Sequence, residues 1–363
     1  MSNVVFILGA GASRQCGAPL MSDFLDIASD LLRSRAVEEK RAQFERVFAA
    51  IGALQAVHSK SQLDLNNIES IFTVLELGRI IQTIPGIKTE EIPETIAALK
   101  ELIVKTLEVR IKFPLEGSYV TAPKQYEEFA KLIKHLSEEA WPKLTSSVIS
   151  FNYDIAADVA LYRAGLGPDY VIEKPPNVQN PIPLLKLHGS LNWATELSEI
   201  KRIRPLHLSS FFQAYNSNMY GASGNACLDI GTKLFDYFKN RVGIEVEREP
   251  VIVPPSWNKA DYHLALSDVW AAAAKHLSEA EHIFVIGYSL PETDSFFRHL
   301  YALGSASNTP LRRFEVFNPD TTGEIDKRFR SLLGPGAAAR YAYHEVTFDT
   351  AISRIKKLFP KNS

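Results

Sequence analysis

Residues 4–24 of the chain read VVFILGAGASRQCGAPLMSDF, and this stretch decides the fold class. Its first part, from Val4 to Leu8, is entirely apolar and rich in β-branched residues, which predicts a strand buried on both faces of a parallel sheet. Gly9 ends the strand, and the GAGAS sequence lets the backbone turn tightly and direct N–H groups at phosphate oxygens. A strand-to-helix turn can also be rich in glycine for packing reasons alone. By itself, this motif leaves nucleotide binding open.

The pattern of an apolar run followed by a polar or turn-rich loop recurs along the chain. The later examples are SSVISFNYD (146–154), LLKLHGSLNW (184–193), PVIVPPSW (250–257), HIFVIGYSLPETD (282–294) and FEVFNPD (314–320). Helical patterns lie between several of them, as in LALSDVWAAAAKHLSEA. Strands that alternate with helices predict parallel βαβ units, which bind ligands outside the carboxyl ends of the strands. We therefore expect an α/β fold with a Rossmann-like, mainly parallel sheet whose polar loops converge on one crevice.

Two stretches interrupt this alternation. Between Ser22 and Leu107, apolar residues recur at helical spacing in LDIASDLL, IESIFTVLELGRII and IPETIAALKELIVKTLEV. The second stretch, residues 194–248, is aromatic and poorly periodic, and we interpret it as helices and loops. A chain of 363 residues also exceeds the size at which single cores stop growing. We predict a Rossmann-like nucleotide-binding domain of residues 1–22 and 145–360, a helical insertion of residues 23–144 and a second insertion of residues 194–248.

Charge and cysteine content exclude several classes of function. With 40 Lys and Arg against 42 Asp and Glu, the net charge of -2 creates no field that attracts a polyanion or an anionic membrane. Nucleic-acid binding is therefore expected only indirectly, through a partner.

Cys16 and Cys227 form no C-x-x-C pair, so neither a disulfide framework nor a structural zinc site is indicated. The apolar N-terminus lacks a basic leader and no run is long enough to span a bilayer, so we expect a cytoplasmic protein.

The motifs, in the order in which they occur, resemble those of the sirtuins. GAGASRQCGAPLMSDF resembles the sirtuin G-A-G-x-S turn and the G-I-P-x-F-R segment that lies over nicotinamide. Asn152-Tyr153-Asp154 resembles the sirtuin N-x-D, and His188-Gly189 resembles the His-Gly pair at a strand end. In that family a late glycine–serine loop and an asparagine after the next strand complete the NAD site. The resemblance implies NAD as substrate, with contacts at Gly9, Ala10, Gly11, Ser13, Ala18, Pro19, Asp154, Gly287, Ser289, Asp294 and Asn318.

The resemblance covers nearly the whole predicted core but neither insertion, and the departures are informative. The zinc cysteines of the deacetylases are absent, and residues 194–248 stand where their zinc module belongs. The arginine that follows G-I-P-x-F is replaced by Leu25 after Phe24. The loop YSLPETD instead resembles bacterial sirtuin-like domains of antiphage defence, which hydrolyse NAD. The resemblance thus implies an NAD glycohydrolase acting in abortive infection, restrained by homo-oligomerisation or by a partner such as a HerA-type ring ATPase.

Two residues are expected to perform the chemistry. Cleavage of the nicotinamide–ribose bond passes through an oxocarbenium-like state, which needs a polar group near the cation and a positioned nucleophile. The resemblance assigns the polar role to Asn152. A neutral imidazole at His188 accepts a proton from water or a ribose hydroxyl, since the unperturbed pKa of histidine is about 6.5. Because both residues follow strands, we expect them on loops outside the core, where truncation costs little stability.

Simpler interpretations of some residues remain open. Asp154 is well placed to cap a helix that starts near Ile155, Asp294 to cap the helix of FFRHLY, and Gly287 to serve only as a turn. Hydride transfer is disfavoured, because Arg14 occupies the third glycine position of G-x-G-x-x-G. Two other functions also stay open: a zinc-less protein deacylase, which would need an acyl-lysine channel, and a catalytically quiet sensor of NAD or ADP-ribose.

We predict that the purified protein binds no stoichiometric zinc. Two distant cysteines and histidines without metal-ligand spacing do not supply the tetrahedral set that structural zinc requires. Elemental analysis of untagged protein after dialysis checks this, and one retained zinc per chain would contradict it.

Overall fold

The computed structural model describes residues 3–117, 119–173, 180–199, 201–215, 224–253, 260–306 and 309–361. The strands over these residues are β1 Val4–Leu8, β2 Phe113–Glu116, β3 Tyr119–Val120, β4 Ser146–Ser150, β5 Pro168–Asp169, β6 Ile182–Lys186, β7 Gly189–Ser190, β8 Trp193–Thr195, β9 Ile203–Pro205, β10 Gly224–Ala226, β11 Val251–Ile252, β12 His282–Ile286, β13 Arg313–Phe317 and β14 Tyr341–His344. The α-helices are α1 Ala10–Ser13, α2 Phe24–Arg33, α3 Arg41–Leu54, α4 Ile68–Ile81, α5 Ile92–Arg110, α6 Lys124–Lys134, α7 Ala156–Arg163, α8 Leu208–Tyr215, α9 Ile230–Tyr237, α10 Ala260–Ser278, α11 Ser295–Gly304, α12 Glu324–Leu332, α13 Pro335–Ala338 and α14 Phe348–Leu358.

A seven-stranded sheet in the order β14-β13-β12-β1-β4-β6-β5 forms the centre of the fold, and its neighbouring strands pair in parallel. The side chains of β1 are completely buried, as expected for a strand covered on both faces. The chain runs from β1 to β4 on one side and later returns to β12 on the other, so the strand order reverses at β1. This confirms the predicted Rossmann-like parallel sheet, and a ligand crevice is expected at such a switch point.

The prediction for residues 250–257 is wrong in one respect. The apolar run does form a strand, β11, but Val251–Ile252 pairs antiparallel with Gly189–Ser190 and lies outside the main sheet. Two prolines follow Val253, and proline cannot donate a ladder hydrogen bond. Residues 254–257 lie outside the described part of the chain. The main sheet instead gains the edge strands β5 and β14, which the sequence patterns did not indicate.

Helices cover both faces of the sheet. On one face, Phe129 of α6 packs edge-on against Phe6, with ring centroids 5.0 Å apart, and also contacts Phe348 of α14. On the other face, Tyr301 of α11 packs against Phe314, with ring centroids 5.6 Å apart. Helix α6 falls within residues 23–144 and nevertheless packs on the sheet. The division into a core and two insertions therefore remains a prediction.

The segment with predicted helical periodicity forms α2 to α5. Helix α4 spans the whole of IESIFTVLELGRII, and the Asn67 side chain caps it by accepting a hydrogen bond from the Glu69 N–H at 2.9 Å. Near its C-terminal end, α4 leaves Leu77, Ile80 and Ile81 exposed. Within the described residues, no helix has the length and apolarity needed to cross a membrane.

The stretch interpreted as a second insertion contains more than helices and loops. Besides α8 and α9, residues 194–248 include the short strands β9 and β10. Strand β10 pairs with β2, and β9 pairs with β8. Strands of three residues are too short to show the period-two alternation by which a sequence reveals a strand.

Two glycine loops touch at the carboxyl ends of β1 and β12. The Gly9 N–H donates to the Ile286 carbonyl at 3.1 Å and the Gly11 N–H donates to the Gly287 carbonyl at 2.8 Å. Gly287 has a φ of +62°, and a Cβ atom there would lie 2.2 Å from the Ala12 nitrogen. Both the backbone conformation and the space at this position therefore require glycine.

Gly287→Ala is expected to destabilise the protein by more than about 2 kcal/mol, because it combines a left-handed backbone penalty with overpacking. The matched control is Gly52→Ala in α3, where no described atom lies within 4 Å of the added Cβ. That change is expected to stabilise the helix by about 0.5–1 kcal/mol. Equilibrium urea unfolding measures both, and equal stabilities of the two variants would contradict the close-contact argument.

Candidate functional site

A crevice of about 740 Å³ lies at the carboxyl ends of the sheet strands, within the size range of about 300–1,000 Å³ typical of small-molecule sites. It is lined by the two glycine loops, the loops after β4, β6 and β13, and residues near the start of α4. The residues predicted from the sequence that line it are Ala10, Gly11, Ser13, Ala18, Pro19, Asn152, Asp154, His188, Gly287, Ser289, Asp294 and Asn318. Gly9 lies next to it, where its carbonyl accepts a hydrogen bond from Asn152.

The N–H groups of the GAGAS turn are already used within the protein. Gly11 donates to the Gly287 carbonyl, and the Ala12 N–H donates to the Gly9 carbonyl at 2.9 Å. The expectation that the turn directs these groups at phosphate oxygens is therefore wrong for Gly11 and Ala12. Their hydrogen bonds instead close the short helix α1 and join it to the β12 loop.

Asn152 is held in one orientation by the first glycine loop. Its Nδ2 atom donates to the Gly9 carbonyl at 3.0 Å and to Ser13 Oγ at 3.1 Å. Both amide hydrogens are used in these bonds, so Oδ1 is the atom of this side chain left to interact with a ligand. Tyr126, which the sequence analysis missed, also bonds Ser13 Oγ at 2.7 Å and belongs to the same buried group.

Asp154 has both structural and local electrostatic roles. Its Oδ1 accepts from the Ala156 N–H at 2.9 Å at the start of α7, and its Oδ2 accepts from Ser13 Oγ at 2.7 Å. The capping role suggested by the sequence is thus met in part, although Ile155 is the N-cap residue. Burial raises the pKa of the Asp154 carboxyl, and nearby Lys186 partly opposes this effect.

Lys186 is a buried cation that the sequence analysis did not select. It is 1% exposed on β6 and donates to Asp158 Oδ2 at 3.2 Å and to the Asp154 carbonyl at 2.5 Å. Tyr170 donates to the other Asp158 oxygen at 2.6 Å. These bonds tie β6 to α7 and to the loop that carries Asn152. A lysine within the apolar run LLKLHG was the available signal, because a charged residue there must be paired.

His188 lies in an aromatic pocket. Its ring packs edge-on against Phe151, with centroids 5.2 Å apart, and lies 6.3 Å from the ring of Tyr153. Phe151 in turn stacks on Tyr288 at 4.0 Å. The Nε2 atom of His188 is 3.3 Å from Oδ1 of Asp294.

The expectation that Asn152 and His188 lie outside the core needs correction. Both follow strands and both are in loops, as predicted, but they are only 8% and 4% exposed. Their loops are covered by neighbouring loops of the sheet edge, and sequence periodicity does not report such packing. Truncation of either residue is therefore expected to lower the stability of the protein.

The start of α4 contributes a wall that the sequence analysis missed. Asp64, Asn66, Asn67 and Glu69 line the crevice from the helical segment. Polar residues before a helix were visible in the sequence, but nothing in their spacing linked them to the sheet.

Two arginines also line the crevice, and the sequence analysis selected neither as a site residue. Arg14 pairs with Asp23, and Arg328 of α12 donates to the Ser289 carbonyl at 3.4 Å. Within the described parts of the chain, no group of three or more His, Cys, Asp or Glu side chains is arranged to hold a metal ion.

Comparison with known proteins gives structural similarity without sequence-level matches. No protein-family profile matches the chain, and no curated protein matches it. Among solved structures, a Sir2 homolog–NAD complex is similar at 14% identity, with 98% of this chain and 90% of that chain covered and a TM-score of 0.41. A mutant Sir2 homologue bound to ADP-ribose is similar at 13% identity, with 98% of this chain and 93% of that chain covered and a TM-score of 0.42. Sir2Tm bound to a propionylated peptide is similar at 13% identity, with 98% of this chain and 92% of that chain covered and a TM-score of 0.37. The crevice residues are therefore interpreted from their own contacts in this structure and not from these neighbours.

Lys186→Met is expected to destabilise the protein by about 3–5 kcal/mol, because it leaves the Asp158 carboxylate buried without its cation. The control is Lys201→Met, which removes an exposed ion pair with Glu247 and should cost less than about 1 kcal/mol. Urea unfolding at neutral pH compares the two. A loss below 1 kcal/mol for Lys186→Met would show that the buried pair does not hold the loop.

Proposed function

We propose that the chain is a sirtuin-like NAD glycohydrolase that cleaves NAD to nicotinamide and ADP-ribose. The observation that supports this most strongly is the meeting of Asn152 and His188 in one crevice at the strand-order switch point, beside two touching glycine loops. A fixed amide and an imidazole in one cleft are two groups that this cleavage can use.

NAD, as the substrate, would lie along the crevice. Gly287, Ser289 and Asn318, at the ends of β12 and β13, would contact the adenosine half. Ala18 and Pro19 would cover the nicotinamide, in line with the resemblance of the opening motif. The crevice volume suits a ligand of this class, since such sites bury most of the ligand surface.

The chemistry follows from two oriented atoms. As the bond between C1′ of the ribose and the nicotinamide nitrogen breaks, positive charge develops on the ribose, and Oδ1 of Asn152 is the polar atom offered to it. Water adds its oxygen to C1′ and gives a proton to the imidazole of His188. Nicotinamide leaves with the electron pair of the broken bond as a neutral molecule, and the proton is later released to solvent.

The proposal extends to the setting of the activity. The resemblance of the YSLPETD loop supports NAD depletion in antiphage defence, in the cytoplasm. Restraint would come from a homo-oligomer or from a HerA-type ring ATPase. Three exposed apolar side chains on α4, Leu77, Ile80 and Ile81, support a protein contact on the helical segment.

His188→Ala and Asn152→Ala are each expected to reduce nicotinamide release by about two to four powers of ten, the usual loss when a general base or an electrostatic stabiliser is removed. Asn152→Ala should also cost about 1–3 kcal/mol, because it leaves buried partners without its hydrogen bonds. Chromatographic nicotinamide release and thermal melting are measured together, with the protein alone and with candidate partners.

The matched control is His344→Ala. His344 also pairs with a carboxylate, that of Glu315 at 2.9 Å, but it does not line the crevice. Parent-like turnover by His188→Ala would remove the proposed mechanism. Nicotinamide release that requires an acylated peptide would favour the deacylase, and tight NAD binding without turnover would favour the sensor.

A further inference from the structure

The carboxylate of Asp294 lies between two crevice side chains. Its Oδ1 is 3.3 Å from Nε2 of His188, and its Oδ2 accepts a hydrogen bond from the Tyr288 hydroxyl at 2.6 Å. Asp294 is 1% exposed, so this carboxylate is desolvated and its orientation matters energetically. The sequence offered two roles for Asp294, a cofactor contact and a helix cap.

The Asp294 carboxylate does not act as a helix cap. Asp294 stands at the N-cap position of α11, but within the described residues its side chain accepts no capping hydrogen bond. Its Oδ1 instead lies beside Nε2 of His188, and its Oδ2 accepts from Tyr288. A buried carboxylate beside one ring nitrogen is the arrangement that fixes the tautomer of a histidine.

Tyr288 keeps the carboxylate in place. Burial, together with the charge of Asp294, raises the pKa of Tyr288 well above its ordinary value, so its hydroxyl remains a neutral donor. The Tyr288 ring is itself fixed by stacking on Phe151, with the two rings 2° from parallel. Phe151 also packs edge-on against His188, so the same aromatic group orients both members of the pair.

We infer that Asp294 is a positioning residue for His188, holding the imidazole with its proton on Nε2 and leaving Nδ1 as the basic nitrogen. This inference rests on the proposed function and names a part of its mechanism. When Nδ1 takes the proton of the attacking water, the imidazolium that forms lies beside the negative charge of Asp294. The carboxylate remains ionised throughout and the proton stays on the ring.

Few other ionisable groups surround the pair in the described part of the chain. Tyr153 flanks the His188 ring, and burial raises its pKa well above the ordinary value. Glu69 and Arg298 act electrostatically on Tyr288 with opposite signs. Asp294 is therefore the carboxylate that contacts His188 directly, and removing its charge should make the imidazolium less stable.

The first test does not depend on turnover. Nitrogen-15 NMR of the histidine side chains, with the His188→Ala spectrum as the assignment, reports which ring nitrogen carries the proton in the neutral form. We expect the Nε2-protonated form for His188 in the parent protein and a titration midpoint at lower pH in Asp294→Asn. A parent His188 protonated on Nδ1, or an unchanged midpoint in Asp294→Asn, overturns the inference.

The second test follows kinetics in the same variants. Asp294→Asn is expected to lower kcat for nicotinamide release by at least tenfold, up to the factor of about 10²–10⁴ that a general base supplies, with little change in KM. The acidic limb of its pH–rate profile should move to lower pH. A raised KM with unchanged kcat would overturn the inference and restore a cofactor contact.

Two further variants keep the result interpretable. Glu315→Gln removes the carboxylate of the His344 pair, outside the crevice, and is expected to leave kcat and the profile unchanged. If Asp294→Asn does not fold, Tyr288→Phe keeps the stack on Phe151, removes one bond to Asp294 and should lower kcat to a smaller extent. A parent that carries Nε2-protonated His188 but releases no nicotinamide, either alone or with any candidate partner, would support the positioning role and refute the proposed hydrolase.

Discussion

The contact between the two glycine loops is the constraint on which the crevice depends. Neighbouring parallel strands bring their carboxyl ends together, but side chains on the following loops would ordinarily keep those loops apart. Glycine at positions 9, 11 and 287 lets the backbones meet and exchange hydrogen bonds. Once they are joined, the Gly9 carbonyl becomes a fixed acceptor for Asn152, so the position of a chemical group follows from a backbone contact.

The elements that the sequence predicted well are those whose signal is local. The buried strand Val4–Leu8 and helix α4 follow from composition and periodicity alone. The edge strands β5 and β14 and the pairing of β11 do not, because they depend on which neighbour offers free backbone groups. Tertiary context decides such short strands, and a single sequence does not contain it.

The candidate site also contains some residues whose placement the sequence predicted and others whose contacts it did not. Motif order placed Asn152 and His188 on neighbouring loops, since polar residues that follow parallel strands share one edge. It did not reveal that Asp294 lies beside His188, about a hundred residues earlier in the chain. Nor did it reveal that Lys186 donates a hydrogen bond to the Asp154 carbonyl in the loop that carries Asn152. Such pairings are set by side-chain burial, and each buried charge needs a partner that only the fold supplies.

Helix α4 touches two environments at once. Near its first turn, Asn67 and Glu69 form part of the crevice wall, and near its last turn Ile80 and Ile81 face solvent. A rise of 1.5 Å per residue puts these ends about 18 Å apart on one stiff rod. Both ends belong to one continuous helix, so a partner bound at the apolar end would rest on the same element as the crevice wall. Helix α4 therefore connects an exposed apolar surface with the polar wall of the cleft.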